Sequence, residues 1–590
     1  MIHFKTVTNR EIAKLLRNVA ASYRIKNEKK FYFQMIAYEN ASETIESLPE
    51  QLENLYKEGK LENVPNIGKT IKGRLEELFK KGRVSHFDFV LKDIPPAVFS
   101  LVEMPGVGPK KAYRLSIELN LKGEDSAIDD LEKLAEKGEI SKLPGFGVKS
   151  EKDILRSIKD YRLGKGKTKR MVLPVAFEVG QKVLDYLYLS KAVGRAETLG
   201  SLRRMMPTVG DVDIAVASNK SREVIDHFVK MPYIERVIEK GPATSSILAL
   251  GGKQVDLMIQ PVKAFGSLLQ HFTGSKNHNV RLRELALKKG MSLSERGIKV
   301  KGKIKTFETE EEFYKALEME WIPPEIREDT GEIERALGHN LPNLVDLPDI
   351  KGDFHIHSSF PIEPSHDLGR NSIEEMIIKA KSLNYDYMGF SEHNPSISKH
   401  SPKQMYDLVS KRNEEIENIS LLYKLKIFKM LEVDILPSGK LAVDEKTLNI
   451  LDAAIVSVHS VFGLPPNEMT KRVIEGLSHK KARILAHPTG RMLNGRNGYD
   501  MDWGLVFEFC KKGNKILEIN SWPYRLDLPD PLIRKAVDYG LKLVINTDSH
   551  ASDQMDLMRY GVAMARRGWA EKDDILNTLS YNNIAEIFRS

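Results

Sequence analysis

The sequence predicts a multidomain chain of mixed α+β and α/β class: a helical N-terminal region, a mixed central part, and a C-terminal region of βα units around a parallel sheet or barrel. Three observations carry this. Residues 1 to about 165 place apolar side chains at three and four residue spacing, as in Ile12, Leu15, Leu16 and Val19 and again in Leu75, Leu78 and Phe79, the period of helices buried on one face. Strand-like runs follow at 212–217, 246–250 and 255–259, mixed with helices. From Gly352 onward, short apolar runs at 387–390, 454–458, 484–486, 516–519 and 543–545 alternate with helical stretches, which implies βα units.

The gross numbers agree. A chain of 590 residues exceeds one hydrophobic core, and at roughly 150 residues per domain it holds about four. A hydrophobic fraction of 41% and a charged fraction of 29% are those of a soluble globular protein, and a net charge of +8 with a pI near 9.0 favours a polyanionic partner. Cys510 is the single cysteine, which excludes an intramolecular disulfide framework and a Cys-rich zinc finger and suits a reducing cytosol. The start of the chain has no apolar leader, and no run approaches the roughly 18 apolar residues that span a bilayer, so a cytoplasmic protein without membrane contact is expected. The basic, Gly-punctuated stretch 164–170 reads as a linker, and the Pro-rich stretches at 321–324 and 341–349 mark a second boundary.

Within the helical region three short elements resemble one another: Val64-Pro65-Asn66-Ile67-Gly68, Met104-Pro105-Gly106-Val107-Gly108 and Leu143-Pro144-Gly145-Phe146-Gly147, each with a lysine just after it, Lys69, Lys110 or Lys149. A glycine turn between helices frees backbone N–H groups at the start of the second helix, and those donors with the helix dipole suit a phosphate oxygen. One copy reads as well as a Gly-capped corner. Three copies in one basic region point to a grip on DNA that ignores sequence, and they resemble the helix-hairpin-helix motif of DNA repair proteins.

The central region carries Gly200-Ser201-Leu202-Arg203-Arg204 and then Gly210-Asp211-Val212-Asp213-Ile214. On a strand, residues i and i+2 share a face, so Asp211 and Asp213 project together, and Asp256 on a later strand brings a third carboxylate. Three convergent carboxylates repel unless cations bridge them. They suit two Mg²⁺ ions set for in-line phosphoryl displacement, with Ser201 and Arg204 placed to hold a triphosphate. These residues resemble the palm of family X DNA polymerases, the group that includes DNA polymerase beta. His271-Phe272-Thr273-Gly274-Ser275, continuing to Asn279, resembles the nucleotide-binding segment of that family, where Phe272 would lie against the sugar and Asn279 near the base. The tyrosine usual there is His271. The Schiff-base lysine of lyase-active members falls at Arg74, which cannot form an imine, so weak or absent lyase activity is expected.

Nine of the fifteen histidines follow residue 350, and their pattern matters more than their number. Asp353-Phe354-His355-Ile356-His357 puts two imidazoles on one strand face. His393, Glu432, His459, His487, Asp548 and His550 each fall at the end of an apolar β run, the rim where βα barrels place active sites. Imidazoles with a few carboxylates suit Zn²⁺, Mn²⁺ or Fe²⁺, and so many imply two or three ions able to bind phosphate and activate water. The block resembles the polymerase and histidinol phosphatase (PHP) domain, a distorted βα barrel. Its remaining ligand falls in Phe360-Pro361-Ile362-Glu363-Pro364-Ser365-His366-Asp367, where Asp367, Glu363 and His366 compete.

The order of modules resembles bacterial and archaeal family X polymerases. The expected domains are 1–90 and 91–165 (helical, with one and two hairpins), 166–262 (nucleotidyltransferase palm), 263–325 (thumb), 326–350 (linker) and 351–590 (PHP). The resemblance implies a monomeric repair polymerase that fills short gaps in primed duplex DNA from deoxynucleoside triphosphates with Mg²⁺. It further implies a 3′→5′ exonuclease using Mn²⁺ or Zn²⁺ in the PHP domain. Two alternatives stand beside it: a PHP domain that only positions DNA, and a non-templated nucleotidyltransferase, against which the hairpins speak.

Overall fold

The computed structural model describes residues 9–589, except 48–51, 58, 60, 62–63, 65–66, 105, 162–169, 233, 250–252, 495 and 497. The expected linker at 164–170 therefore lies, apart from Arg170, outside the described residues, as do Pro65, Asn66 and Pro105 of the hairpins and Leu250 of the second strand run. The chain divides into two compact units, Met1–Lys169 and Arg170–Ser590.

The first unit is helical among its described residues: α1 (Asn9–Asn27), α2 (Tyr32–Ser47), α3 (Leu52–Lys57), α4 (Lys69–Lys81), α5 (Ser85–Leu91), α6 (Ala97–Leu101), α7 (Pro109–Glu118), α8 (Ala127–Glu136) and α9 (Val148–Asp160). It has two cores. Ile12, Leu16, Val19, Leu75 and Leu78 meet in one, with Leu15 and Phe79 packed against it. Ala112, Leu115, Leu131, Ile154 and Ile158 meet in the other.

The second unit opens with β1 (Met171–Val172), α10 (Leu173–Leu187), β2 (Arg195–Thr198), the one-turn α11 (Gly200–Arg203), β3 (Thr208–Val209), β4 (Val212–Ala217), α12 (Ser221–Phe228), β5 (Ile234–Lys240), β6 (Thr244–Ala249) and β7 (Lys253–Gln260). Five strands form one sheet in the order β2-β4-β7-β6-β5. Its central pair, β4 and β7, is parallel, with Asp213 opposite Asp256 in register. On β7, Val255, Leu257 and Ile259 are buried while Asp256 between them is not, so the strand alternation itself turns this carboxylate away from the core.

Next come α13 (Phe265–Thr273), α14 (Lys276–Lys288), the antiparallel β8 (Met291–Ser294), β9 (Gly297–Val300) and β10 (Lys303–Lys305), α15 (Glu310–Lys315) and α16 (Glu332–Leu337). Residues 326–350, expected as a linker, are a packed connection instead. Ile326, Ile333 and Ala336 join the core of Leu282, Phe313 and Tyr314, and buried Glu332 accepts His278 Nδ1–H at 2.7 Å. Apolar residues spaced at helical period inside a Pro-flanked stretch are the physical reason.

The remainder is α17 (Ile373–Ser382), β11 (Tyr387–Phe390), α18 (Pro402–Tyr423), β12 (Lys426–Asp434), α19 (Glu445–Asn449), β13 (Ala453–Ser457), α20 (Pro466–Ser478), β14 (Ala482–Leu485), α21 (Trp503–Lys512), β15 (Ile516–Asn520), α22 (Asp530–Asp538), β16 (Leu543–Asn546), α23 (Met558–Arg567) and α24 (Tyr581–Arg589). Capping boxes at Ser372/Glu375 and Ser401/Gln404 start α17 and α18. The six strands are parallel and lie in sequence order, the βα arrangement that the alternating runs predict. The segment carrying His355 and His357 is not a regular strand. It is an extended stave held at both sides: Gly389 and Ser391 donate N–H to the carbonyls of Asp353 and Ile356, and His357 N–H donates to Ser549 at 2.8 Å. It thereby connects the β11 edge to the end of β16.

Candidate metal centres and hairpin termini

At the starts of α4, α7 and α9, Gly68, Gly108 and Gly147 are N-caps with φ of −71°, −75° and −117° and no side-chain cap. A Cβ built on any of the three meets no described atom within 4 Å. Neither dihedral nor packing requires glycine there, and the bare N-caps leave the first N–H groups of each helix open to a close approach. Gly106 and Gly145 take φ of 71° and 77°, which glycine accepts without strain. Lys69 and Lys110 are exposed, and Lys110 Nζ lies 2.7 Å from Glu28. Lys149 lies in α9, with its side chain outside the described residues.

In the second unit, β4 and β7 bring Asp211, Asp213 and Asp256 together, with one carboxylate oxygen of each within 4.8 Å of the others. Burial, reinforced by the charges of Asp211 and Asp256, pushes the Asp213 carboxyl up to about 7. Uncompensated carboxylates of this kind fit divalent cations. Gly200 (φ +55°) passes so close that a Cβ would stand 2.5 Å from Asp213 Oδ2. Gly210 precedes Asp211, and Ser201 is half-buried in α11. Arg204 donates Nε to Glu328 at 3.0 Å and Nη1 to the Thr273 carbonyl. Gly274 (φ +71°) lies against it, at 3.0 Å from its would-be Cβ to Arg204 Nη1. Asn279 is anchored to the same segment: its Nδ2 donates to the His271 carbonyl at 2.7 Å, and the Phe272 and His271 rings stand edge to face at 4.8 Å.

The second centre is organised around one buried carboxylate. Glu432 has five imidazoles about it: His355 at 3.1 Å, His357 at 3.7 Å, His393 at 2.9 Å, His459 at 3.3 Å and His487 at 2.9 Å. Asp548 Oδ1 lies 3.4 Å from His355 and 3.3 Å from His357, whose ring stacks on His550 at 4.0 Å. Several of these atoms are buried without any hydrogen bond, namely His355 Nε2, both ring nitrogens of His357, His393 Nδ1, Glu432 Oε2, His487 Nδ1 and His550 Nε2. Carboxylate oxygens stand near His355 Nε2, His357 Nε2, His393 Nδ1 and His550 Nε2, yet without hydrogen-bond geometry. Donor atoms that converge and do not pair with one another fit bound cations. Burial works against the Glu432 charge, but His393, His355 and His459 hold its carboxylate well below the usual range.

The disputed ligand position is shared in space. Asp367, 78% exposed, lies 3.7 Å from both His393 and His550. His366 instead joins Asp434 and His459 in a compact group, while Glu363 faces His400. Three further residues of the centre escaped the sequence reading. Glu518 accepts His355 Nδ1–H at 2.7 Å and the His487 N–H at 2.7 Å. Asp434 accepts His459 Nδ1–H at 2.7 Å. Arg525 brings Nε within 3.8 Å of Asp548. A charge inside the apolar run Ile516-Leu517-Glu518-Ile519 was the available signal for Glu518. Buried carboxylates on the far nitrogen of a ligand imidazole fix its tautomer.

Comparison with known proteins follows the same lines. Residues 7–84 match the helix-hairpin-helix domain family, and residues 268–328 match the DNA polymerase beta thumb family. The chain is 32% identical over 585 residues to the DNA polymerase/3′-5′ exonuclease PolX of Bacillus subtilis (strain 168), covering 98% of each protein. It is 28% identical over 161 residues to DNA polymerase lambda of Rattus norvegicus, covering 22% of this chain and 28% of that relative. With both centres in place and a relative matched from end to end, the chain belongs to the family X DNA polymerases that carry a C-terminal PHP domain.

Proposed function

We propose that this protein fills short gaps during DNA repair and trims 3′ ends, one activity at each centre. It is a DNA-directed DNA polymerase with 3′→5′ exonuclease activity, and both activities use divalent metal. The observation that carries the reading is the presence, in one chain, of an acidic triad on a β-sheet and a separate imidazole–carboxylate cluster on a barrel rim.

In this reading Asp211, Asp213 and Asp256 hold Mg²⁺, which when bound supplies charge stabilisation for phosphoryl transfer to a primer 3′-hydroxyl. Ser201 and Arg204 grip the deoxynucleoside triphosphate. Gly200, Gly210 and Gly274 let the backbone come close, Phe272 supports the sugar, and Asn279 faces the base. Arg204 reaches the triphosphate by leaving Glu328 and the Thr273 carbonyl, its partners in this structure. At the barrel rim His355, His357, Asp367, His393, Glu432, His459, His487, Asp548 and His550 hold Mn²⁺ or Zn²⁺. Glu518 and Asp434 keep His355 and His459 turned with Nε2 inward. The glycine N-termini at Gly68, Gly106–Gly108 and Gly145–Gly147, with Lys69, Lys110 and Lys149, grip the DNA backbone. We assign the palm to 166–262, the thumb to 263–325 and the PHP domain to 351–590 of a monomeric protein. Buried Cys510 suits the cytoplasm, and among the described residues no helix is long and apolar enough to cross a membrane.

The test is a gapped template–primer and a labelled recessed 3′ end, each assayed with Mg²⁺ and with Mn²⁺. Template-directed addition with nucleotides, and shortening with Mn²⁺ in their absence, support the reading. Incorporation that ignores the template base, or a 3′ end stable under every metal, contradicts it.

A further inference from the structure

Three arginines near the barrel rim have their donors taken up by the protein itself. Arg412 donates to Glu392 at 2.7 Å and to the Met430 carbonyl. Arg472 donates to the carbonyls of Leu436 and Ser460 at 3.0 and 2.9 Å. Arg491 donates Nε to the Arg525 carbonyl at 2.9 Å. All three are consumed in holding the fold. Arg525 differs. Among the described residues its guanidinium makes no hydrogen bond, and its one ion pair is the 3.8 Å approach of Nε to Asp548 Oδ2. That oxygen already accepts Asn520 Nδ2 at 3.1 Å. The Arg525 side chain is only 17% exposed, yet none of its nitrogens is both fully buried and unpaired, so its free donors keep contact with solvent beside Asp548 of the imidazole cluster.

The loop bearing Arg525 is held by backbone and side-chain hydrogen bonds. It leaves the end of β15, and Ser521 N–H donates to the Asn546 carbonyl at 2.8 Å. Trp522 N–H donates to Asn520 Oδ1 at 2.9 Å, and Arg525 and Leu526 N–H both close onto the Trp522 carbonyl. Arg491 clamps the same loop from below through the Arg525 and Leu526 carbonyls. The structure therefore holds a half-buried cation with four N–H donors on its Nη atoms free of hydrogen bonds, beside a cluster suited to metal and phosphate. Tyr524, next in the loop and 48% exposed, offers a ring face of the kind on which a base stacks.

We propose that Arg525 is a phosphate-binding residue of the nuclease centre, gripping the non-bridging oxygens of the 3′-terminal phosphodiester. The inference rests on the nuclease reading given above. In the reaction, a water oxygen bonds to phosphorus, and the bond from phosphorus to the O3′ of the penultimate nucleotide breaks. The released O3′ takes a proton, and the terminal nucleotide leaves as a 5′-monophosphate. Arg525 lies where negative charge gathers on the phosphoryl oxygens, and its planar fork matches two of them.

The test uses the full chain as wild type, Arg525→Gln and Arg525→Lys, with Mn²⁺ binding measured by calorimetry, removal of a labelled 3′ nucleotide, and binding of 2′-deoxyadenosine 5′-monophosphate to the Mn²⁺-loaded protein. For Arg525→Gln we expect Mn²⁺ affinity within about twofold of wild type, while end removal falls about 10²-fold and monophosphate binding at least about tenfold. Arg525→Lys recovers part of both losses. Unchanged end removal and monophosphate binding in Arg525→Gln overturn the proposal. So does a loss of Mn²⁺ affinity as large as the loss of turnover, since Arg525 then only supports Asp548. A wild type that trims no 3′ end but binds the monophosphate in an Arg525-dependent way keeps the phosphate site and sinks the nuclease reading instead. A wild type that does neither sinks both.

Discussion

Arg567 donates Nη1 to the backbone carbonyl of Arg204 at 2.8 Å, joining α23 of the barrel to the residue that ends α11 beside the acidic triad. The same guanidinium reaches Glu328 at 3.1 Å and Asp530 at 2.7 Å, and Glu328 in turn accepts Arg204 Nε at 3.0 Å. Arg567 is 6% exposed, so these pairs form with little help from water. The barrel thus sets the resting place of a residue proposed to hold the triphosphate.

Arg567→Met leaves Asp530 without its partner and Glu328 with Arg204 alone; breaking a fully buried ionic network costs roughly 3–5 kcal/mol, and the part-exposure of these two acids makes the cost here smaller. The expected outcome is a lower Tm together with a several-fold higher KM for nucleotide in gap filling, while Mn²⁺-dependent 3′ trimming per folded molecule stays within about twofold. Steady-state kinetics of both reactions on one preparation check this. Equal losses in both contradict it.

Gly200→Ala puts a methyl 2.5 Å from Asp213 Oδ2 at a φ of +55°. Strain of this kind costs on the order of 1–3 kcal/mol. Its larger effect is to displace a proposed metal ligand, so nucleotide addition should fall at least about 10²-fold with 3′ trimming unchanged. Wild-type gap filling by this variant contradicts the placement of Asp213.

Asp213 gives the pH dependence. Its folded pKa, about 7, lies above the usual 3.8, so between those values the metal-free fold holds a proton that the unfolded chain has released. Its stabilising effect is present below about 4 and is lost as pH rises through about 7. Asp213→Asn should therefore be more stable than wild type in EDTA at pH 8, by roughly 1–3 kcal/mol after allowance for solvent screening, and less so at pH 5. Denaturant melts at the two pH values check the sign.

Glu518→Gln keeps the shape but removes the charge that holds His355 Nδ1–H. Loss of such a supporting carboxylate lowers metal affinity about 10–100-fold. Calorimetric Mn²⁺ titration should show this with nucleotide addition intact, and unchanged affinity would assign Glu518 to the fold alone.

What the sequence revealed of these features depends on distance along the chain. Asp211 and Asp213 are legible because strand geometry alone puts residues two apart on one face, and Asp256 because Val255 and Leu257 mark its strand. The rim histidines are legible because each ends an apolar run. The alternation at His355 and His357 predicts a strand, whereas their segment bonds to both neighbours without forming a regular ladder, a tertiary effect no local pattern encodes. Glu518 looks like an interrupted β run until His355 is placed beside it. Contacts such as Arg567 with Arg204 join residues with no shared periodicity, so only the folded chain shows them. The stretch 326–350 misled because its prolines outweighed the spacing of Ile326, Ile333 and Ala336.

The most direct test of two independent centres is a crossed inactivation of the full chain. Asp211→Ala and the double variant His355→Ala, His357→Ala are each assayed for gap filling with Mg²⁺ and for 3′ trimming with Mn²⁺. We expect Asp211→Ala to abolish addition and spare trimming, and the histidine variant to do the reverse. Loss of both activities in either variant, with its fold intact by circular dichroism, would contradict the assignment of one activity to each centre.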